Sequence, residues 1–109
     1  MKEIKAIVQP FMADKVIDRL REAAHLPGIT VSLVNGFRRS DPGADSSERI
    51  ENAPMTKIEI VVPDEIAETV IESIARAART GRSGDGKIFV YEVSEVINIR
   101  TGERGKSAI

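Results

Sequence analysis

Hydrophobic and polar residues alternate from Lys2 to Gln9: Ile4, Ala6 and Val8 fall on one side, Glu3, Lys5 and Gln9 on the other, with Ile7 the exception. That period of two predicts a half-buried strand, stopped by Pro10. From Met12 the period lengthens. Val16, Ile17, Leu20, Ala23 and Ala24 recur at helical spacing, opposite Lys15, Asp18, Arg19, Arg21 and Glu22. Asp14 suits the positive start of such a helix, and Pro27-Gly28 ends the connection. Ile29–Phe37, with Thr30, Val31, Leu33 and Val34, has the composition of a second strand. Arg38–Asn52 is polar, contains a Pro-Gly turn and holds one large apolar residue, Ile50, so it predicts a long exposed loop.

Alternation returns at Thr56–Val62, where Ile58, Ile60 and Val62 oppose Lys57, Glu59 and Val61. After Pro63, Ile66, Val70, Ile71, Ile74 and Ala78 mark a second helix over Asp64–Arg79, with acids in its first turn and arginines in its last. Ile88–Val93 predicts a fourth strand, Glu95–Arg100 a short fifth strand or extended segment, and Thr101–Ile109 a polar tail. The order strand–helix–strand, taken twice, predicts one α+β domain over residues 1–109. Right-handed crossovers place both helices on one face of a four-stranded antiparallel sheet, a ferredoxin-like βαββαβ sandwich. The other face is expected to be apolar and uncovered, and therefore to drive oligomerisation.

Composition narrows the function. A net charge of -1 argues against a nucleic-acid partner. The chain has no apolar run long enough to insert in a membrane and no basic-then-apolar leader at its start, and its lack of cysteine fits the cytoplasm.

The chemistry concentrates in Thr80–Lys87, reading Thr-Gly-Arg-Ser-Gly-Asp-Gly-Lys. Its glycines permit positive φ and close backbone approach, successive N–H groups can converge on an anion, and Lys87 adds a point charge suited to phosphate. It nearly satisfies the phosphate-loop pattern, but Ile88 stands where Ser or Thr would hold magnesium, and the helix precedes instead of following. Gly81 also stands where a helix C-cap glycine belongs, so a bare turn is the alternative reading.

Nearly the whole chain resembles the PII signal-transduction proteins. The resemblance rests on Met1-Lys2-x-Ile4-x-Ala6-Ile7 with Pro10-Phe11, on Gly28-Ile29-Thr30-Val31 and on Gly36-Phe37-x-Arg39. It continues through Lys57–Asp64, the Thr80–Val90 block, Val96-Ile97-x-Ile99-Arg100-Thr101-Gly102-Glu103 and Ala108-Ile109. It implies a homotrimer binding ATP or ADP in clefts between subunits. Residues 80–87 match the family's B-loop, with Gly84, Asp85, Gly86 and Lys87 around the phosphates. Arg39 and Arg100 match arginines that reach them. Ile7, Gly36, Phe37 and Val61 match the adenosine lining, and Gly28, Ile29 and Thr30 the neighbouring subunit's contribution. Residues from about 38 to 55 match the T-loop that docks on targets, and 98–109 the C-terminal loop.

The departures are equally informative. The T-loop is about four residues short and lacks the tyrosine the family uridylylates; Ser46 and Ser47 are candidates for modification, although two serines in a polar loop more often serve only solubility. Ser40 and Met55 replace the glutamine and lysine of the family's 2-oxoglutarate site, so that response is expected to be weak or absent. Asn98 replaces a phosphate arginine, which shifts preference from ATP (with its magnesium) towards ADP or AMP, and Arg38 replaces a glycine and offers compensation. His25 reads as a structural or surface residue, and Asp41, Asp45, Glu48 and Glu51 as a solvated acidic set instead of a metal site. No residue suits activation of water, so a regulator is expected, not an enzyme. The target would be a membrane transporter or regulatory enzyme of nitrogen metabolism. The alternatives are a variant serving a bicarbonate or metal-efflux transporter, or a direct metal-binding or small-molecule-binding ferredoxin-like protein.

Overall fold

A computed structural model describes residues 1–23, 26–39 and 50–109, with backbone alone at 38, 39, 50 and 51. The elements are β1 (Lys2–Val8), α1 (Ala13–Glu22), β2 (Thr30–Arg39), β3 (Ile50–Val62), α2 (Asp64–Ala78) and β4 (Gly86–Glu92). Single 3-10 turns at Pro10–Met12 and Lys106–Ala108 complete them. The strands form one sheet in the order β2-β3-β1-β4, and every neighbouring pair is antiparallel. Each helix thus connects two parallel strands separated by a third, the split crossover of the ferredoxin-like α+β fold.

The alternating residues place the core. Ile4, Ala6 and Val8 of β1 and Ile58, Ile60 and Val62 of β3 are buried against Val16 and Leu20 of α1 and Val70, Ile74 and Ala77 of α2. These aliphatic side chains interdigitate in one layer between helices and sheet. Thr56 is the one buried polar residue among those described. No helix among the described residues is long and apolar enough to cross a membrane.

Several sequence expectations need correction. The sheet face away from the helices is not an apolar surface. Register places Glu3, Lys5, Lys57, Glu59 and Lys87 there, among Ile7, Val61, Phe89 and Tyr91. Lys57 pairs with Glu59 at 3.3 Å, and the Lys5 ammonium lies 5.3 Å from the Phe89 ring centre and 5.0 Å from that of Tyr91. Hydrogen bonding to the neighbouring Glu59 raises the Glu3 carboxyl above its ordinary range, while hydrogen bonds with Glu3 and Lys57 lower that of Glu59. The exposed large apolar residues of the sheet lie on its two edge strands: Val31, Leu33 and Phe37 of β2, and Phe89, Val90 and Tyr91 of β4, of which Phe89 and Tyr91 share the charged face. Leu33 is 84% exposed. Unpaired edges with apolar side chains are the stronger argument for association.

The expected loop is also shorter than its composition suggested. Pairing continues past Gly36↔Ala53 to Arg39↔Ile50, so β2 and β3 form a projecting ribbon whose backbone ladder is indifferent to its polar side chains. Within the T-loop, Ser40, Asp41, Asp45, Ser46, Ser47 and Glu48 lie outside the described residues, as does His25. The supposed fifth strand is reduced to a bridge between Ile97 and Arg104. Asn98 explains this: its side-chain oxygen accepts the N–H groups of Arg100 and Thr101, at 3.0 and 3.1 Å, and bends the chain.

Candidate functional site

The site begins where α2 stops. Arg79 already has extended backbone, with φ -73° and ψ 125°, so the helix ends at Ala78, three residues before Gly81, and the glycine is not its C-cap residue. The loop's glycines serve the turn itself: Gly81, Gly84 and Gly86 all have positive φ. Gly86 enters β4 opposite Val8, and a Cβ there would lie 1.7 Å from the Ile7 carbonyl oxygen. Only glycine allows the loop to approach β1 this closely.

Two side chains fix the turn. Asp85 accepts the N–H groups of Thr80 and Gly81, at 2.8 and 3.0 Å, and the Thr80 hydroxyl. The Thr80 hydroxyl, then its N–H, hold the Asp85 carboxyl below the usual range, so it is an anion already committed to its own loop. The second is Gln9, whose side-chain amide donates to the Gly84 carbonyl at 2.5 Å. Gln9 escaped notice in the sequence because 75 positions separate the partners; a polar residue closing a strand just before proline was the only signal.

Lys87 stands opposite Ile7 in the β1–β4 register, hence on the sheet face away from the helices. Beside it opens a cleft of about 390 Å³ lined by Ile7, Gly36, Phe37, Met55, Gly84, Gly86, Lys87 and Phe89. Six of the expected site residues thus meet here. Phe89 was not foreseen, although it alternates with Lys87 along the strand and so shares its face. Met55 presents a thioether beside the cationic turn, where a second cation was expected to be lost.

The remaining candidates lie elsewhere. Gly28, Thr30 and Val61 line a second cleft of about 310 Å³ with Glu3, Glu59 and Ile109. Within one chain Val61 lies with Gly28 and Thr30, away from Ile7: it stands four residues along β3 from Lys57, the partner of Ile7, or about 13 Å. Ile29 turns the other way, packing against the core and facing Ile17 and Leu26. Asn98 and Arg100 line neither cleft. Asn98 is the pivot of the C-terminal turn, its carbonyl accepting the Gly102 N–H at 2.8 Å and its own N–H donating to the Glu103 carbonyl at 2.9 Å. Arg100 is exposed. The side chains of Arg38 and Arg39, at the end of β2, are outside the described residues.

The chain thus carries a glycine-rich turn with a lysine and an apolar wall at one end of a sheet face, and a smaller cleft at the other. Comparison with known proteins gives this arrangement its context. The family model "Nitrogen regulatory protein P-II" matches residues 1–103. The nitrogen regulatory protein P-II of Rhizobium meliloti (strain 1021) is 49% identical over all of both chains, and P-II 1 of Escherichia coli (strain K12) is 45% identical over the same extent. Among solved structures, Arabidopsis thaliana PII bound to citrate superposes with a TM-score of 0.82 at 42% identity, covering 99% of this chain and 91% of that one. The chain belongs to the nitrogen regulatory protein P-II family of signalling proteins.

Proposed function

We propose that this regulator is a cytoplasmic homotrimer that binds ATP or ADP between subunits and signals to a protein target through residues 38–55. One observation carries the reading: the candidate residues fall into two clefts at opposite ends of one sheet face, which no single chain can join. A second copy bringing its Gly28–Thr30–Val61 cleft against the Lys87 cleft completes a pocket long enough for a nucleotide. The glycine turn and Lys87 then receive the phosphates, and Ile7, Gly36 and Phe37 wall the adenosine. Arg38, Arg39 and Arg100 supply further cations, and magnesium accompanies ATP when the triphosphate is bound. The exposed edges of β2 and β4 supply the apolar area for assembly.

Differential contact of ATP, ADP or AMP with these cations biases the projecting β2–β3 ribbon and the segment it carries, so the nucleotide held decides which target is engaged. Those targets are a membrane transporter or a regulatory enzyme, and the protein itself is a switch without turnover. Met55 beside Lys87 favours one variant of this reading. A thioether cannot pair with a dicarboxylate, so 2-oxoglutarate is a poor second effector, and a bicarbonate or metal-efflux transporter becomes a suitable target.

Calorimetric titration of ATP, ADP, AMP, 2-oxoglutarate, bicarbonate and divalent metals, with phosphate release followed in parallel, tests the proposal. The expected result is saturable ATP and ADP binding, at most one per chain, without turnover and with little or no 2-oxoglutarate heat. Rapid phosphate release, or metal binding without nucleotide, would establish a catalytic or carrier protein instead.

A further inference from the structure

Resting on the nucleotide reading, and extending it, we infer that Gln9 is a positioning residue that sets the phosphate-binding turn before any ligand arrives. Gln9 follows the last residue of β1, and its backbone is held by the 3-10 turn, its carbonyl accepting the Met12 N–H at 2.9 Å. From that fixed base its side-chain amide reaches across to the Gly84 carbonyl at 2.5 Å. Gly84 has φ +93°, so the orientation of its peptide is not dictated by a side chain of its own. The bond from Gln9 supplies that orientation.

The consequence follows from peptide geometry. In a planar trans peptide the C=O and the next N–H point in opposite directions. Holding the Gly84 carbonyl towards Gln9 therefore turns the Asp85 N–H away from it. At the other end of the turn, Asp85 ties down Thr80 and Gly81. Clamped at both ends, the loop presents its free N–H groups in one arrangement and loses little entropy when an anion binds. Gln9 touches no phosphate. It acts through the peptide it orients, and it links the end of β1 to a loop formed some seventy residues later.

The test uses the full chain in four forms: wild type, Gln9→Ala, Gln9→Glu and Gln9→Lys. ADP and adenosine are titrated into each, and amide exchange of residues 81–86 is followed without ligand. Gln9→Ala has no donor, and Gln9→Glu keeps the length but presents a carboxylate to a carbonyl. Both are expected to bind ADP about tenfold more weakly, with adenosine affinity unchanged and the loop amides exchanging several-fold faster. Gln9→Lys restores a donor of sufficient reach and is expected to recover ADP affinity to within about threefold. Unchanged ADP affinity in Gln9→Ala and Gln9→Glu would overturn the inference, as would an equal loss for adenosine. A wild type that binds no ADP would instead refute the nucleotide reading. The exchange measurement alone would then decide whether Gln9 orders the turn, wild-type exchange rates in Gln9→Ala counting against it.

Discussion

Gly86→Ala is expected to destabilise the fold by about 2–6 kcal/mol, a large share of the 5–15 kcal/mol typical of a domain. The new Cβ would meet the Ile7 carbonyl oxygen at 1.7 Å, the Ile7 carbonyl carbon at 2.9 Å and the Val8 Cα at 3.3 Å. All three are backbone atoms of β1, which is paired on both sides and cannot swing away as a flexible side chain would. The φ of +112° adds strain of its own, about 1–3 kcal/mol for a residue with a side chain. Relief requires breaking the start of the β1–β4 ladder, which would also displace Lys87. Gly28→Ala is the control: nothing lies within 4 Å of its added Cβ, and its effect is expected within about 0.5 kcal/mol. Denaturant unfolding of both variants checks the pair. Equal stabilities would contradict the close approach of loop and strand.

Lys87→Ala is the second substitution with a large expected effect, on binding and not on folding. Its side chain is exposed beside the glycine turn, so melting without ligand should hardly change. Removing a charge-assisted hydrogen bond to phosphate is expected to weaken ADP and ATP binding by about 1.5–3 kcal/mol, or roughly 10- to 150-fold in Kd. Adenosine, which lacks phosphate, should bind as before. Calorimetry with the three ligands separates these outcomes, and an ADP affinity equal to the wild type would remove Lys87 from the site.

How much of this was legible in the chain depends on the range of the interaction. The strands around Ile4–Val8 and Ile58–Val62 and the helices around Val16–Leu20 and Ile66–Ala78 announce themselves through local periodicity. The order of those elements then leaves little freedom of topology. The glycine turn was legible because Gly81, Gly84, Gly86 and Lys87 carry their chemistry in eight consecutive residues. What stayed hidden was set by register or distance. Glu3, Lys5, Lys57 and Glu59 read separately as solvent-facing residues, but only the β1–β3 pairing brings them into one charged face. The polar stretch after Gly36 concealed a ladder made by backbone alone. Asn98 read as a lost cation, whereas its carboxamide organises the C-terminal turn. The position of Val61 beside Gly28 and Thr30 follows from the length of β3, not from any motif.

In the proposed reading, the two clefts are halves of one nucleotide pocket, each supplied by a different copy. This division makes ligand and assembly interdependent. A nucleotide held by two copies would bind the assembled state alone, so on that reading it should stabilise the proposed trimer by mass action.

Crystals grown with ADP test this most directly. The account predicts one nucleotide at each seam between copies, its phosphates within hydrogen-bond reach of Gly84–Lys87 and its adenosine between Phe37 of one chain and Val61 of the next. Seams left empty at saturating ADP, or a nucleotide held wholly within one chain, would contradict it.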